Sequence, residues 1–505
     1  MVASGVLVLA LLFAAGCTGT TGTGSTTGPA TGSPSAQNAT RGTGSPGGSP
    51  PGGMAPGSNS SMSSGGMAGP GGMPPGGNSS MPSGGMGGPG GSGSMSGGAP
   101  GGSSGSSSYI FSGTYSLNGG TATGTGKTYT STTKDVSAVY VTSGGDLTLN
   151  APTIVTSGDT SSNDASSFYG LNAAVLAADG SRVTINGGTI TTSGSGANGA
   201  FPTGTGSTIV LNGVKIKATG GGGHGVMATN GGILMLTDVD MDTSGANSAP
   251  LATDRGSGTV TAVRGTVLAS GRDSPAIYST GVITVTDGNA TATGSEAAVI
   301  EGFNSIILKN TTLIGGVEKT GGTMIYQSMS GDASVGTGTF TMNGGSYTVT
   351  AGPAFFVTNT DALISMTSVK VTGGSDTLIK AAATDRWGTS GKNGGTVTFI
   401  ADNETLNGSL TTDSISSIAA NLKNGSALTG SINSAALTLD ASSIWVVTGD
   451  SALTNFSDAG GISGTSIINI DGNGYTVTYD KSLAGNSFLG GKTFTLNGGG
   501  TLTPR

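Results

Sequence analysis

Asp273 and Glu296 are the two carboxylates whose spacing best brings acids together, standing 296 − 273 = 23 residues apart. That is about one period of a short phrase that recurs along the chain. Aligning successive copies on Ile277 and Val299 sets Ser274 level with Glu296. Asp273 and Glu296 then fall on neighbouring turns at one corner, with Arg272 alongside. Two carboxyl groups held across a glycosidic bond can supply the acid and the base or nucleophile of hydrolysis. The same cluster can hold Ca²⁺ or sugar hydroxyls. A solvated turn with one local ion pair, which contributes little, is the plainer reading of the three residues. One turn earlier that corner carries Asn247 and Ser248.

The phrase Ala-Thr-Asp-Arg occurs at 252–255 and again at 383–386, where it runs into Trp387. Asp beside Arg can brace a corner or hold a hydroxyl, and an indole is a common anchor for a ligand. Trp387, Asp385 and Arg386 are therefore the candidate ligand contacts, and Arg255 joins Asp273, Glu296 and Arg272 if the site is catalytic. Recurrence in two turns argues for a shared structural corner. Asp238, Asp240 and Asp242 alternate with Val239 and Met241, so their carboxylates leave one strand on the same side. Ca²⁺ needs six to eight oxygens, and the row reads as solvated charge that protects an edge. His224, the single histidine, lies in a glycine-rich stretch with no acidic neighbour and reads as a turn residue.

Other chemistry is excluded by composition. One histidine and one cysteine, Cys17, rule out a multi-histidine or cysteine-built metal site within one chain. Among 98 glycines a phosphate-loop pattern carries no information, and no cofactor is expected. The net charge of −7 and the lack of a basic run argue against a nucleic-acid partner.

These residues must be positioned by a repeat. LNAPTI from Leu149, INGGTI from Ile185, LNGVKI from Leu211 and LTDVDM from Leu236 are followed by looser copies beginning at Ala262, Val285, Leu308, Met342 and Met366. The intervals are 36, 26, 25, 26, 23, 23, 34 and 24 residues, the two long ones being one-turn insertions or extended loops. Turns such as TTSG, KATG, DTSG and LASG follow, then a second apolar patch at Phe201, Val226, Leu251, Ile277, Val299, Phe356 and Ile379. Each period thus holds two or three short strands divided by Gly, Asn, Asp and Ser corners. A single period cannot bury its own apolar face, whereas stacked periods build a continuous core. The pattern over 109–505 resembles the right-handed parallel β-helix superfamily, which includes pectate lyases and many bacterial surface proteins. It implies an all-β solenoid, regular over 109–400 with 23–26-residue rungs and less regular over 401–505. No lipid-facing series for a transmembrane barrel is expected after it.

Residues 1–17 form a short apolar run ending in Ala14-Ala15-Gly16-Cys17, the pattern of an export signal. That ending resembles a bacterial lipoprotein box, which implies a lipid on Cys17. Residues 18–108 are Gly, Ser, Thr, Pro, Asn, Ala and Met with one charge, Arg41. Too few apolar groups are present to offset chain entropy, so a disordered low-complexity linker is expected. Its spaced methionines, Met54 to Met95, read as drift in that repeat rather than as copper ligands. The whole reads as an exported, adhesin-like β-helix, either lipid-anchored at the cell surface or outer envelope or secreted. Its role is non-catalytic binding of glycans or of host or matrix surfaces. A polysaccharide lyase or glycoside hydrolase on the same scaffold is the alternative, and an ice-binding face, diluted by Lys, Asp and Asn, ranks last.

Overall fold

The computed structural model describes residues 109–505. The signal, Cys17 and linker expectations lie outside the described residues.

Each turn of the chain lays down three short strands. One turn consists of Val226–Ala228, Ile233–Thr237 and Asp240–Thr243. Alternating burial along the second and third sends Leu234, Leu236 and Met241 inward and Met235 and Asp240 outward. Asn230 and Asp238 make the corners at φ of 53° and 54°, a left-handed conformation that short polar side chains tolerate. The next turn stacks in parallel register, with Val226 opposite Leu251, Ile233 opposite Thr259 and Met241 opposite Val267. Continued stacking produces the all-β, right-handed parallel β-helix expected from the repeat.

The recurring Ser-Gly and Thr-Gly turns have a steric cause. A Cβ on Gly220 would sit 1.9 Å from the Gly194 carbonyl oxygen, and one on Gly245 would sit 2.1 Å from that of Gly220. Successive turns touch backbone to backbone at this corner, so only glycine fits there. Inside the coil one apolar core runs the length of the described residues. Its largest members include Phe340, Tyr347 and Phe355, whose rings meet at 5.2 to 6.3 Å.

Beyond residue 400 the turns shorten. Phe399 pairs with Ala420, Ala420 with Leu437, and Leu437 with Phe456, the last pairing across register shifts. At the end of the coil Phe494–Asn497 and Thr501–Pro504 pair antiparallel.

The long intervals are extended loops, not extra turns. Leu149 stands opposite Ile185, and the added residues include a short helix, α1 (Asn163–Tyr169), capped by Ser162 Oγ accepting from the Ala165 N–H and ended by left-handed Gly170. Leu308 stands opposite Met342, and the added residues form the loop 327–337. A third long interval, from Met366 to its partner Ala401, carries the loop 382–394 with Trp387. All three extensions adjoin the corners of one sheet, the one containing Val226–Ala228.

Candidate functional site

The outer face of that sheet is apolar where a solvent-facing sheet would be polar. Leu176, Phe201, Met227 and Ala252 form one cluster separate from the main core, and Val299, Met324, Phe356 and Trp387 form another. Part-exposed Tyr278 packs against both. The extensions provide the cover. Over the first cluster lies the end of α1, whose Phe168 carbonyl accepts from Thr229 Oγ1 and Asn230 Nδ2, each at 2.9 Å. Over the second lies the 382–394 loop, held by Asn393 Nδ2 donating to the Thr384 and Trp387 carbonyls. A cleft of about 80 Å³ remains between them. Tyr278, Val299, Met324 and Tyr326 line it, with Trp387 at one end, and polar residues Asn247, Asp254, Asp273, Ser295 and Glu296 complete it.

The cleft brings Asp273, Glu296 and Trp387 together, and Asn247 with them. The alignment that suggested this was one residue out. Ile277 pairs with Ala298, and Val299 pairs with Tyr278, so Glu296 is level with Pro275 rather than with Ser274. Val299 faces outward under the loops. An apolar side chain on a covered outer face looks like a core residue in sequence, and a one-residue slip exchanges the faces. Phe201 and Phe356, of the same apolar patch, also belong to the outer clusters, whereas Ala200 and Phe355 hold the inward register positions.

Each carboxylate around the cleft has protein partners. Asp273 is ion-paired with exposed Arg272, and Glu296 accepts from Ser295 Oγ at 2.6 Å and from Thr320 Oγ1. Glu301, absent from the sequence candidates, is fully buried at the base of the cluster. Its Oε2 accepts from Tyr278 Oη and Tyr326 Oη, each at 2.9 Å, and its Oε1 accepts from Ser328 Oγ. Burial raises its pKa against the lowering effect of these three hydroxyls. Burial and the nearby Glu301 carboxylate also drive the Tyr278 and Tyr326 phenols upward, so both remain protonated donors.

Asp254 is the least balanced group. It is 6% exposed, and burial pushes its pKa up to about 8, with Asp332 and Glu301 adding to the effect and the Arg255 N–H opposing it. Its Oδ1 accepts from that N–H at 2.8 Å. The neighbouring Arg255 guanidinium lies 3.7 Å from the Phe168 ring centroid and donates to Asp332 Oδ1 through Nε and Nη2. Arg255 thereby ties α1 to the 327–337 loop. His224 also lines the cleft, fully buried, with Nδ1 3.1 Å from the Ala249 carbonyl, and burial lowers its pKa to about 4. It is neutral at pH 7.

The two Ala-Thr-Asp-Arg copies do not share a corner. Asp254 follows the strand Leu251–Thr253 and faces the cleft, whereas Asp385 is exposed on the 382–394 loop away from the cleft lining. Arg386 covers the Trp387 ring at 4.7 Å, and Tyr326 meets that ring at 5.0 Å. Trp387 is 8% exposed and forms an end wall rather than an open stacking platform. Asp238 pairs with Arg264 across one turn, and among the described residues no group of three or more His, Cys, Asp or Glu is arranged to hold a metal. No family model matches this sequence, and neither the comparison with curated proteins nor that with solved structures gives a match, so the functional reading rests on the cleft itself.

Proposed function

We propose that this protein is a surface-exposed or secreted, adhesin-like β-helix that binds glycans at the Tyr278 cleft without cleaving them. The observation carrying this reading is an apolar and aromatic lining with a few placed polar groups, all fixed on a rigid sheet, which is the composition of a small-molecule site. At about 80 Å³ the cleft suits a ring edge or a substituent rather than a whole oligosaccharide. The carboxylates favour binding over hydrolysis. Asp273 is tied to Arg272, Glu296 to two hydroxyls, and Glu301 to two tyrosines and a serine, which leaves Asp254, held by one backbone N–H, as a single acid without a free carboxylate to face it across a glycosidic bond.

A glycan array probed with the full chain, with mass spectrometry of every bound glycan, tests this. Binding of intact glycans is expected, and Tyr278→Ala, which removes one wall of the cleft, is expected to weaken it at least tenfold. Shortened or unsaturated products that disappear in Asp273→Asn or Glu296→Gln would make the protein a hydrolase or lyase instead. Export and lipid attachment belong to the same proposal and rest on residues 1–17. Labelling of cells with a radioactive fatty acid is expected to mark the wild type and not Cys17→Ser. Equal labelling of both removes the anchor.

A further inference from the structure

The Tyr278 cleft is lined by acids and aromatic rings and by no Lys or Arg. Asp254, Asp273 and Glu296 stand in the lining beside Tyr278, Tyr326 and Trp387. The arginines nearby are engaged elsewhere. Arg255 donates to Asp332 and lies over Phe168, Arg272 is exposed and pairs with Asp273, and Arg386 covers the Trp387 ring. Asp254 makes this more than a group of acids. It is 6% exposed, and its Oδ1 accepts from the Arg255 N–H. No group among the described residues donates to its Oδ2, and that oxygen is not sealed off, so it opens on the cleft that Asp254 lines. A carboxyl oxygen taken out of water without a donor is costly, and a ligand that supplies the donor recovers that cost.

One ligand group answers every part of this lining. An alkylammonium carries N–H donors for carboxyl oxygens and a positive charge that aromatic faces attract. A hydroxyl would satisfy Oδ2 but would gain nothing from the charge or the rings. An opening of about 80 Å³ admits such a substituent and the carbon that bears it. Resting on the glycan reading above, we infer that the Tyr278 cleft selects amino sugars whose amine is free, with Asp254 Oδ2 as the principal acceptor of the ammonium group.

The charge state of Asp254 supplies a signature. Burial keeps this carboxyl protonated in the free protein up to about pH 8. A cation beside it favours the ionised form, so binding at pH 7 displaces its proton. The other groups facing Asp254 do not mask this. Glu301 and Asp332 repel its charge and Arg255 opposes them, while His224 stays neutral and the Tyr278 and Tyr326 phenols stay protonated at pH 7. Asp273 and Glu296, elsewhere in the lining, already have their own partners.

The full chain can be titrated by calorimetry at pH 7 with hexasaccharides of glucosamine, N-acetylglucosamine and glucose of the same linkage. The glucosamine hexamer is expected to bind at least tenfold more tightly than the other two. Asp254→Asn, confirmed as folded by circular dichroism, is expected to lose most of that advantage while binding the other two hexamers as before. In buffers of different ionisation enthalpy, the wild type should release about one more proton per glucosamine hexamer than Asp254→Asn does. Equal affinity for the three hexamers overturns the selectivity for an amine and leaves glycan binding standing. A glucosamine advantage that survives Asp254→Asn, with no difference in proton release, traces to the net charge of −7 and also overturns the site. If none of the three binds the folded wild type, the glycan reading falls and this inference with it.

Discussion

Replacing Asp254 with asparagine is expected to stabilise the protein at pH 7 by about 4 kcal/mol. In the unfolded chain this carboxyl ionises from about pH 3.8, whereas in the fold burial delays its ionisation to about pH 8. Between those values the unfolded state binds fewer protons than the folded state. Stability therefore falls as pH rises, by about 1.4 kcal/mol for each pH unit, until the folded carboxyl also ionises. Asparagine removes that slope and retains an oxygen to accept from the Arg255 N–H. His224 acts in the opposite sense. Its folded pKa of about 4 lies below the ordinary 6.5, so the wild type gains stability as pH rises across that interval and is flat above it. The difference between wild type and Asp254→Asn isolates the carboxyl. Urea unfolding midpoints measured from pH 4 to 9 should diverge steadily and then level off near pH 8. Parallel curves would show that the carboxyl is not held protonated. Retention of a group with this cost in a cleft wall is what a functional site would entail.

Trp445→Ala is expected to cost about 3–5 kcal/mol through the lost indole and the cavity left behind. The indole is fully buried between Leu428 and Ile470, its register neighbours, and its Nε1 donates to the Gly430 carbonyl at 2.9 Å. Truncation leaves that carbonyl without its donor, which adds about 1–3 kcal/mol if no water replaces it. Stacked repeats have stability close to a sum of nearest-neighbour terms, so the loss should be local. Amide hydrogen exchange should quicken over the turns beyond residue 400 and stay slow around Val226 and Leu251. Uniform acceleration along the chain would show a single cooperative unit.

How much of this was legible follows from which contacts are local. The copies from Leu149 to Leu236 announced the stacked strands, and the Ser-Gly and Thr-Gly turns announced the tight corner. Each depends on residues within one turn and on an identical neighbour above and below, so the period alone specifies the partner. The intervals of 36 and 34 residues marked places where the chain departs from the coil; the first carries α1, one cover of the cleft, and the second carries the 327–337 loop, whereas the other cover, the 382–394 loop, lies between Met366 and Ala401, beyond the last copy of the phrase. Ser162 before Asn163 and Asp164 was a readable sign of a helix start, although seven helical residues are too few to leave a periodic trace.

The cleft was legible only in part. Asp273, Glu296 and Trp387 were found because two share a corner and the third is an uncommon side chain. Glu301 was missed because its partners Tyr278, Tyr326 and Ser328 lie 23 to 27 residues away on neighbouring turns. The sequence by itself determined the coil, since side-chain alternation and glycine corners act locally and stacking repeats them. Only the tertiary structure decided which apolar residues face outward. That choice depends on whether a loop from another turn covers the sheet, as α1 covers Phe201 and the 382–394 loop covers Val299, and such cover leaves the hydrophobic pattern of the strand unchanged.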